Sequence, residues 1–161
     1  ALGIPQFMPS ALTHYAIPHK LKSTADIIQS LPDAIASIDY YLTHRGKWHS
    51  QASIIKPVVL NVSQKQYLQN HELIKKDLIN IIDLPESTFP ELHQKQSSHT
   101  PVALRQVRTL QGQYRYFVVY DNFKAIMSYN PSSHYAHAVM ELAEKIRKAS
   151  RERNHPITKK P

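Results

Sequence analysis

Glutamate is a usual choice for handing a proton to a leaving oxygen, through a carboxyl whose pKa burial has raised. This 161-residue chain has six: Glu72, Glu86, Glu91, Glu141, Glu144 and Glu152. All six read as solvated surface charges. The lack of cysteine excludes a thiolate nucleophile, a disulfide and a cysteine zinc site. The ten histidines include His134 and His137 at i, i+3, and His44 and His49 on either side of Gly46. No His-Glu-x-x-His pattern joins them, so scattered surface histidines are the better reading and no metal site is expected. There is no glycine-rich phosphate loop and no Gly-x-Ser-x-Gly elbow. Amides and phenols remain. Gln6 offers two donors and an acceptor, suited to a hydroxyl or an N-acetyl group, or else to capping the backbone at a helix entry. Tyr129 offers a ring face and a hydroxyl. Asn130 serves either a ligand or the N-cap of the last helix. Tyr135 falls at core spacing, and Phe7 and Met8 read as core.

Several elements must hold these residues. A helix begins after Pro9 with Met8, Leu12, Tyr15 and Ala16 on one face, and Pro18 ends it. Residues 18–30 are polar and irregular. Ser30 then suits an N-cap, with Pro32 in the first turn and Asp33 at N3. Leu31, Ala34, Ile35, Ile38, Tyr41 and Leu42 form the expected buried stripe of this second helix, and Gly46 suits its exit. Residues 57–62 read as a short strand. Ser63 is expected to cap a helix over 64–82, with Tyr67, Leu68, His71, Leu73, Ile74, Leu78 and Ile81 as its stripe. Pro85 and Pro90 bound a turn, and residues 94–100 form a surface loop. Residues 102–108 and 114–120 read as a hairpin turning at Gln111-Gly112-Gln113. A last helix runs from near Asn130-Pro131-Ser132 to about residue 150, with Tyr135, Val139, Leu142, Ala143 and Ile146 facing in.

Three glycines and eleven prolines imply short, stiff connections. Hydrophobic residues make up 42%, enough for a folded interior. The net charge of +8 is uneven: residues 145–161 hold seven basic residues and one acid, or +6, which leaves +2 for the body. A basic tail of this kind is read as a solvated end, not as a nucleic-acid surface. Its functional reading is attraction to an anionic surface such as phospholipid or a charged polymer. No apolar run approaches the roughly 20 residues that span a bilayer, and no signal peptide is visible after Ala1.

Three blocks carry a family resemblance. The first is Gln6-Phe7-Met8-Pro9-Ser10 followed by Tyr15-Ala16. The second is Asp33-Ala34-Ile35 with Ser37, Tyr40 and Tyr41, then Gly46 and Trp48, here separated by Lys47. The third is Asn122-Phe123, Ile126, Tyr129-Asn130, Ser132, Tyr135-Ala136 and Ala138-Val139. In order and spacing the set resembles the membrane-bound lytic murein transglycosylase B family, enzymes that cleave the glycan strands of peptidoglycan.

The resemblance implies a mainly α (α+β), lysozyme-like fold with a small β-hairpin subdomain. Residues 1–50 and 120–150 would form part of the helical core, 51–119 a small α/β subdomain and 151–161 a basic tail. It implies cleavage of the MurNAc–GlcNAc bond to 1,6-anhydromuropeptides by a single glutamate acting as acid and then base. That glutamate is expected on a segment upstream of Gln6, so no catalytic residue is assigned within the 161. Gln6, Tyr129, Asn130 and Tyr135 are the substrate-binding residues it implies. Many family members carry an Asp-rich calcium loop between the first two blocks. Residues 17–27 hold one carboxylate and two lysines instead, so no calcium and no cofactor is expected. The expected partner is peptidoglycan, in the periplasm or at the outer membrane of a Gram-negative bacterium. A complementing segment or self-association is expected to cover Phe7, Met8 and Leu12. The rival reading is a shortened, non-catalytic homologue that binds glycan or protein.

Overall fold

A computed structural model describes residues 1–20, 24–94 and 100–154. Helix α1 (Pro9–Tyr15) starts at a proline whose missing N–H would have had no helical partner in any case. Ahead of it, residues 2–7 close a tight hairpin, with Leu2 N–H donating to Phe7 O at 2.8 Å and Phe7 N–H to Leu2 O at 3.0 Å. Gly3 is needed there: its φ is +68° and a Cβ would lie 2.5 Å from the Ile27 carbonyl.

Helix α2 (Leu31–His44) starts as its sequence predicts, with Ser30 Oγ accepting from Asp33 N–H. Its stripe is only partly buried. Ala34 and Tyr41 are buried, but Leu31 and Ile35 are 57% and 58% exposed. At its exit Gly46 is required by space, since a Cβ would sit 2.6 Å from Leu42 O and 3.1 Å from Ala125 Cβ. The left-handed turn falls instead on Lys47, at φ 59°.

The helix expected over 64–82 is the clearest correction. Helix α3 (Val62–Asn70) stops early, and Glu72 turns left-handed at φ 56°. Its cap is Asn61, not Ser63, in a reciprocal box with Gln64. Residues Leu78–Asn80 form strand β2, paired to β3 (Ala103–Arg108) in the register Ile79↔Leu104. The Gln106 side-chain amide donates to the Leu73 and Lys76 carbonyls and holds the loop in place. Ladder bonds and the burial of Ile79 on the sheet outweigh helix propensity over these residues.

The expected hairpin forms as β3 and β4 (Tyr114–Val119). It is the centre of a four-stranded antiparallel sheet of order β1-β4-β3-β2, in which β1 is Ile55–Val58, an earlier start than the 57–62 expected. Alternation sorts the sheet's faces. Leu104, Tyr116 and Val118 pack with Leu60, Leu68 and Phe89 on one side. Ala103 and Val119 pack with Phe123, Ile126 and Ala136 on the other. The latter belong to α4 (Asp121–Tyr129) and α5 (Ser133–Asn154). Buried Arg105 lies 3.5 Å from Asp77, which also accepts a hydrogen bond from Ser133 at the start of α5. The inward face expected for α5 is half right: Ala136 and Met140 are buried, whereas Leu142 and Ile146 are 59% and 61% exposed and Ala143 is exposed. The fold is helical with one small antiparallel sheet. Most of the expected loop at 94–100 and the tail from 155 onward lie outside the described residues.

Candidate functional site

Gln6, Tyr129, Asn130 and Tyr135 come together. With Ile4, Pro5, Ile38, Leu42, Ile126 and Val139 they line a cavity of about 480 Å³. A second cavity of about 470 Å³ opens on the other side of Gln6 and Tyr129, between His14, Tyr15, Tyr41, Arg45 and Ser128. Gln6 and Tyr129 therefore stand between two recesses.

Gln6 is not a helix cap; Met8 occupies the N-cap of α1. Gln6 sits at φ 54°, an unfavourable conformation for a residue with a Cβ. Its backbone N–H and side-chain Nε2 both reach the Gly3 carbonyl, at 3.1 and 2.7 Å. A carbonyl oxygen only accepts, so the amide orientation is fixed by chemistry, with Nε2 toward Gly3 and Oε1 as the acceptor end.

The Tyr129 hydroxyl donates to the Pro5 carbonyl and so clamps the hairpin that carries Gln6. Burial pushes its phenol up to about 12, helped by the neighbouring Tyr135 and Tyr41. Its ring meets Tyr41 edge-on at 5.2 Å and Phe7 at 6.0 Å, and Tyr15 completes the cluster 4.8 Å from Tyr41. The Tyr41 hydroxyl donates to Ser128 O at 2.7 Å.

Asn130 is not the N-cap of α5. Its backbone N–H closes α4 onto Ile126 O, and Ser132 Oγ accepts from Tyr135 N–H at 3.2 Å instead. The Asn130 amide is exposed at the cavity. Tyr135, 37% exposed, contributes part of the wall. Phe7 is core at 2% exposure, but Met8 is 61% exposed because it stands at the N-cap, where α1 has not begun to face inward.

Other motif residues are anchors. Asp33 is buried and accepts from His19 and Asp26 N–H, both at 3.0 Å. Ser37 Oγ accepts from Ile17 N–H at 3.0 Å. Asp26 Oδ1 accepts from Ile28 and Gln29 N–H. The Asp26 carboxylate, the one in residues 17–27, and that of Asp33 in α2 thus accept from backbone amides; Leu21–Ser23 lie outside the described residues. Asn122 is buried and saturated: Oδ1 accepts from His49 N–H, and Nδ2 donates to His49 O and Ala52 O.

The six glutamates are exposed, and none lines either cavity. Glu72 pairs with Lys75 at 3.1 Å and Glu141 with His137 at 3.3 Å. His134 lies 4.0 Å from Asp77, so the two helix histidines engage different carboxylates. Among the described residues no group of three or more His, Cys, Asp or Glu side chains could hold a metal ion. Sequence reasoning missed Tyr15, Tyr41, Arg45 and Ser128 as cavity residues. Tyr15 and Tyr41 were visible as stripe residues, and their apolar spacing concealed that their rings also line the second recess.

No curated protein matches the sequence significantly. Three solved structures place the fold. SltB1 from Pseudomonas aeruginosa is 24% identical, with 93% of this chain and 48% of that one covered at a TM-score of 0.69. The Escherichia coli lytic transglycosylase Slt35, in complex with bulgecin A, is 23% identical over 92% of this chain and 44% of its own, with a TM-score of 0.66. SltB3 from Pseudomonas aeruginosa, in complex with NAG-NAM-pentapeptide, is 24% identical over 90% and 38%, with a TM-score of 0.61. The chain spans about half the length of the structures it matches best among these. The lysozyme-like lytic transglycosylase fold expected from the three blocks is the fold observed. The model of the transglycosylase SLT domain matches residues 1–144, and the chain belongs to that family.

Proposed function

We propose that this chain forms one wall of the glycan groove of a peptidoglycan lytic transglycosylase. Gln6 Oε1 accepts from a sugar hydroxyl or an N-acetyl N–H, Asn130 offers both hydrogen-bonding senses, and the Tyr129 and Tyr135 rings pack on sugar faces. The observation that carries this reading is that these four residues, 6 to 135 in the sequence, line one cavity. The reaction is cleavage of the MurNAc–GlcNAc bond. A glutamate protonates the bridging oxygen, then takes the proton of the muramyl 6-hydroxyl as the 1,6-anhydro ring closes, and no water enters. None of the six glutamates present lines the cavity, and in this reading the acid is supplied from outside residues 1–161. The site of action is the periplasmic face of the cell envelope.

The same observation about the glutamates favours a second reading, a non-catalytic glycan-binding module. Two measurements on the 161-residue chain test the proposal. Calorimetry with a NAG–NAM muropeptide is expected to show binding that Gln6→Ala weakens. Incubation with purified murein sacculi is expected to release no anhydro-muropeptides by mass spectrometry. Absence of binding defeats the groove. Sustained product release shows that one of the six glutamates is the acid.

A further inference from the structure

Gln6 and Tyr129 separate two recesses that differ in charge. The recess holding Asn130 and Tyr135 is lined by no acid, lysine, arginine or histidine. The second, of about 470 Å³, is lined by Arg45 and His14 and by no carboxylate. Both volumes fall within the roughly 300–1,000 Å³ of small-ligand sites. The rings of Phe7, Tyr15, Tyr41 and Tyr129, which pack on one another, also line the second recess. Aromatic faces of this kind suit the faces of sugar rings.

The end of α2 puts Arg45 in this place. Arg45 is the C-cap of the helix, and its N–H donates to Tyr41 O at 2.8 Å. It therefore stands one turn beyond Tyr41, and residues four apart share a helix face. A cation is also favoured at a helix C-terminus, where the backbone carbonyls gather negative charge. Arg45 is exposed, and it forms no ion pair among the described residues. The neighbouring Lys47 does not line the recess.

His14 brings different chemistry. Its Nδ1 lies 2.7 Å from Ser10 O. A carbonyl oxygen only accepts, so Nδ1 carries a hydrogen and Nε2 is the acceptor of the neutral ring. The neutral imidazole thus suits a hydroxyl or an amide N–H, and Arg45 is left as the group suited to an anion. A guanidinium presents parallel N–H donors that match the two oxygens of a carboxylate.

Resting on the glycan reading above, we propose that Arg45 makes the second recess a carboxylate-reading subsite of the groove. A strand of N-acetylglucosamine alone is neutral. A muramyl unit carries a lactyl group whose carboxyl is either free or extended by a stem peptide with its own carboxylates. Arg45 binds one of these carboxylates and so sets the preference for murein over a neutral glycan.

Calorimetry at low salt on the 161-residue chain tests this with three probes. They are NAG–NAM with its lactyl carboxyl free, the same disaccharide with that carboxyl capped as a methylamide, and NAG–NAM-pentapeptide. At least one acidic probe is expected to bind about fivefold more tightly than the methylamide, the range of a partly solvated but bidentate pair. Preference for the free disaccharide acid assigns the lactyl carboxylate, and preference for the pentapeptide alone assigns the stem. Arg45→Gln is expected to bring the ratio to about one, and Arg45→Lys, which keeps charge without the fork, to about twofold. Arg45 is exposed, and melts by circular dichroism confirm that its variants fold. Lys47→Gln is expected to keep the preference. Equal binding of all three probes overturns the proposal, as does a preference that survives Arg45→Gln. A preference lost equally in Lys47→Gln assigns it to diffuse positive charge and also overturns the proposal. Each of these results leaves the glycan reading standing. Absence of binding by any probe at up to roughly 10 mM overturns that reading and this proposal together.

Discussion

Tyr129→Phe removes one atom and should disturb the site 124 residues away in sequence, because the hydroxyl donates to the Pro5 carbonyl. Pro5 belongs to the hairpin closed by Leu2 and Phe7, and Gln6 follows it at φ 54°. A left-handed non-glycine residue costs about 1–2 kcal/mol, so that conformation persists only while its neighbours enforce it. The three bonds that do so are Gln6 N–H and Nε2 to Gly3 O and Tyr129 to Pro5 O. Loss of one net hydrogen bond costs about 1 kcal/mol. The ring contacts with Phe7 and Tyr41 remain, so the core is intact.

Urea denaturation is therefore expected to show a loss of about 1 kcal/mol with an unchanged slope. Muropeptide affinity should fall about fivefold if the hairpin's loosening is fully transmitted to Gln6. A pH series gives a second readout. The Tyr129 phenol is raised to about 12 in the folded state against an ordinary value of 10. Between those values the unfolded chain has released the proton and the folded chain has kept it. The contribution is thus complete below pH 10 and is lost as pH rises toward 12. Two pH units correspond to at most about 2.7 kcal/mol, and the ring's partial exposure reduces this. Tyr129→Phe should flatten that alkaline limb. If the substitution leaves stability, affinity and the alkaline limb all unchanged, Tyr129 does not clamp the hairpin and the account of Gln6 is wrong.

Asn122→Ala should cost about 2–4 kcal/mol in urea unfolding, since it deletes three hydrogen bonds at a fully buried site and leaves the His49 and Ala52 groups unpaired. Gly46→Ala should lower the melting temperature, because its Cβ meets Leu42 O and Ala125; a cost of about 1–3 kcal/mol is expected. Lys47→Gly should act in the other direction, stabilising by about 0.5 kcal/mol as relief of the left-handed backbone exceeds the entropy of the added glycine. His137 is held below its ordinary pKa by burial first and then by Arg105, against the pull of Glu141. The unfolded chain therefore takes up a proton before the folded one, and stability should fall as pH drops below about 6.5. His137→Gln should flatten that acid limb.

Local signals were legible where they governed their own surroundings. Ser30, Pro32 and Asp33 start α2 as their chemistry predicts, and residues 103–119 pair as the hairpin that their alternation demands. Residues 71–82 were misread because their periodicity is compatible with a helix. What decides them is β3, some 25 residues later, which offers a ladder to Leu78–Asn80. The cap of α3 was missed by two residues because Asn61 and Ser63 are both competent, and only Gln64 at N3 of Asn61 distinguishes them. The stripes of α2 and α5 were read correctly as apolar, but only part of each is buried: Ala34 and Tyr41 are, whereas Leu31, Ile35, Leu142 and Ile146 are exposed. A sequence pattern states which face is apolar but not whether a partner covers it. Of the candidate site, Gln6 and Tyr129 were singled out through the resemblance, and the structure places both at one cavity. The bond from Tyr129 to Pro5, which explains why the two matter to each other, has no local signature.

The three sequence blocks are physically one unit. Phe7 of the first packs 5.7 Å from Tyr41 of the second, Tyr41 donates to Ser128 beside the third, and Tyr129 of the third donates to Pro5 beside the first. Each link closes a loop of the chain, and the longest joins residues 124 positions apart. Buried anchors in the same blocks, Asp33, Ser37 and Asn122, pin the connections at 17–26 and 49–52. Loosening any one of the three links between the blocks therefore acts on the same aromatic cluster and, through it, on Gln6. Double-mutant cycles give this coupling a measurable form. Tyr41→Phe and Tyr129→Phe remove hydroxyls from adjoining rings 5.2 Å apart. Their effects on stability should depart from additivity by about 0.5 kcal/mol or more, whereas Asn61→Ala, at the α3 cap, should add to either independently. Strict additivity of the two tyrosine substitutions would show three separate contacts that merely share a neighbourhood.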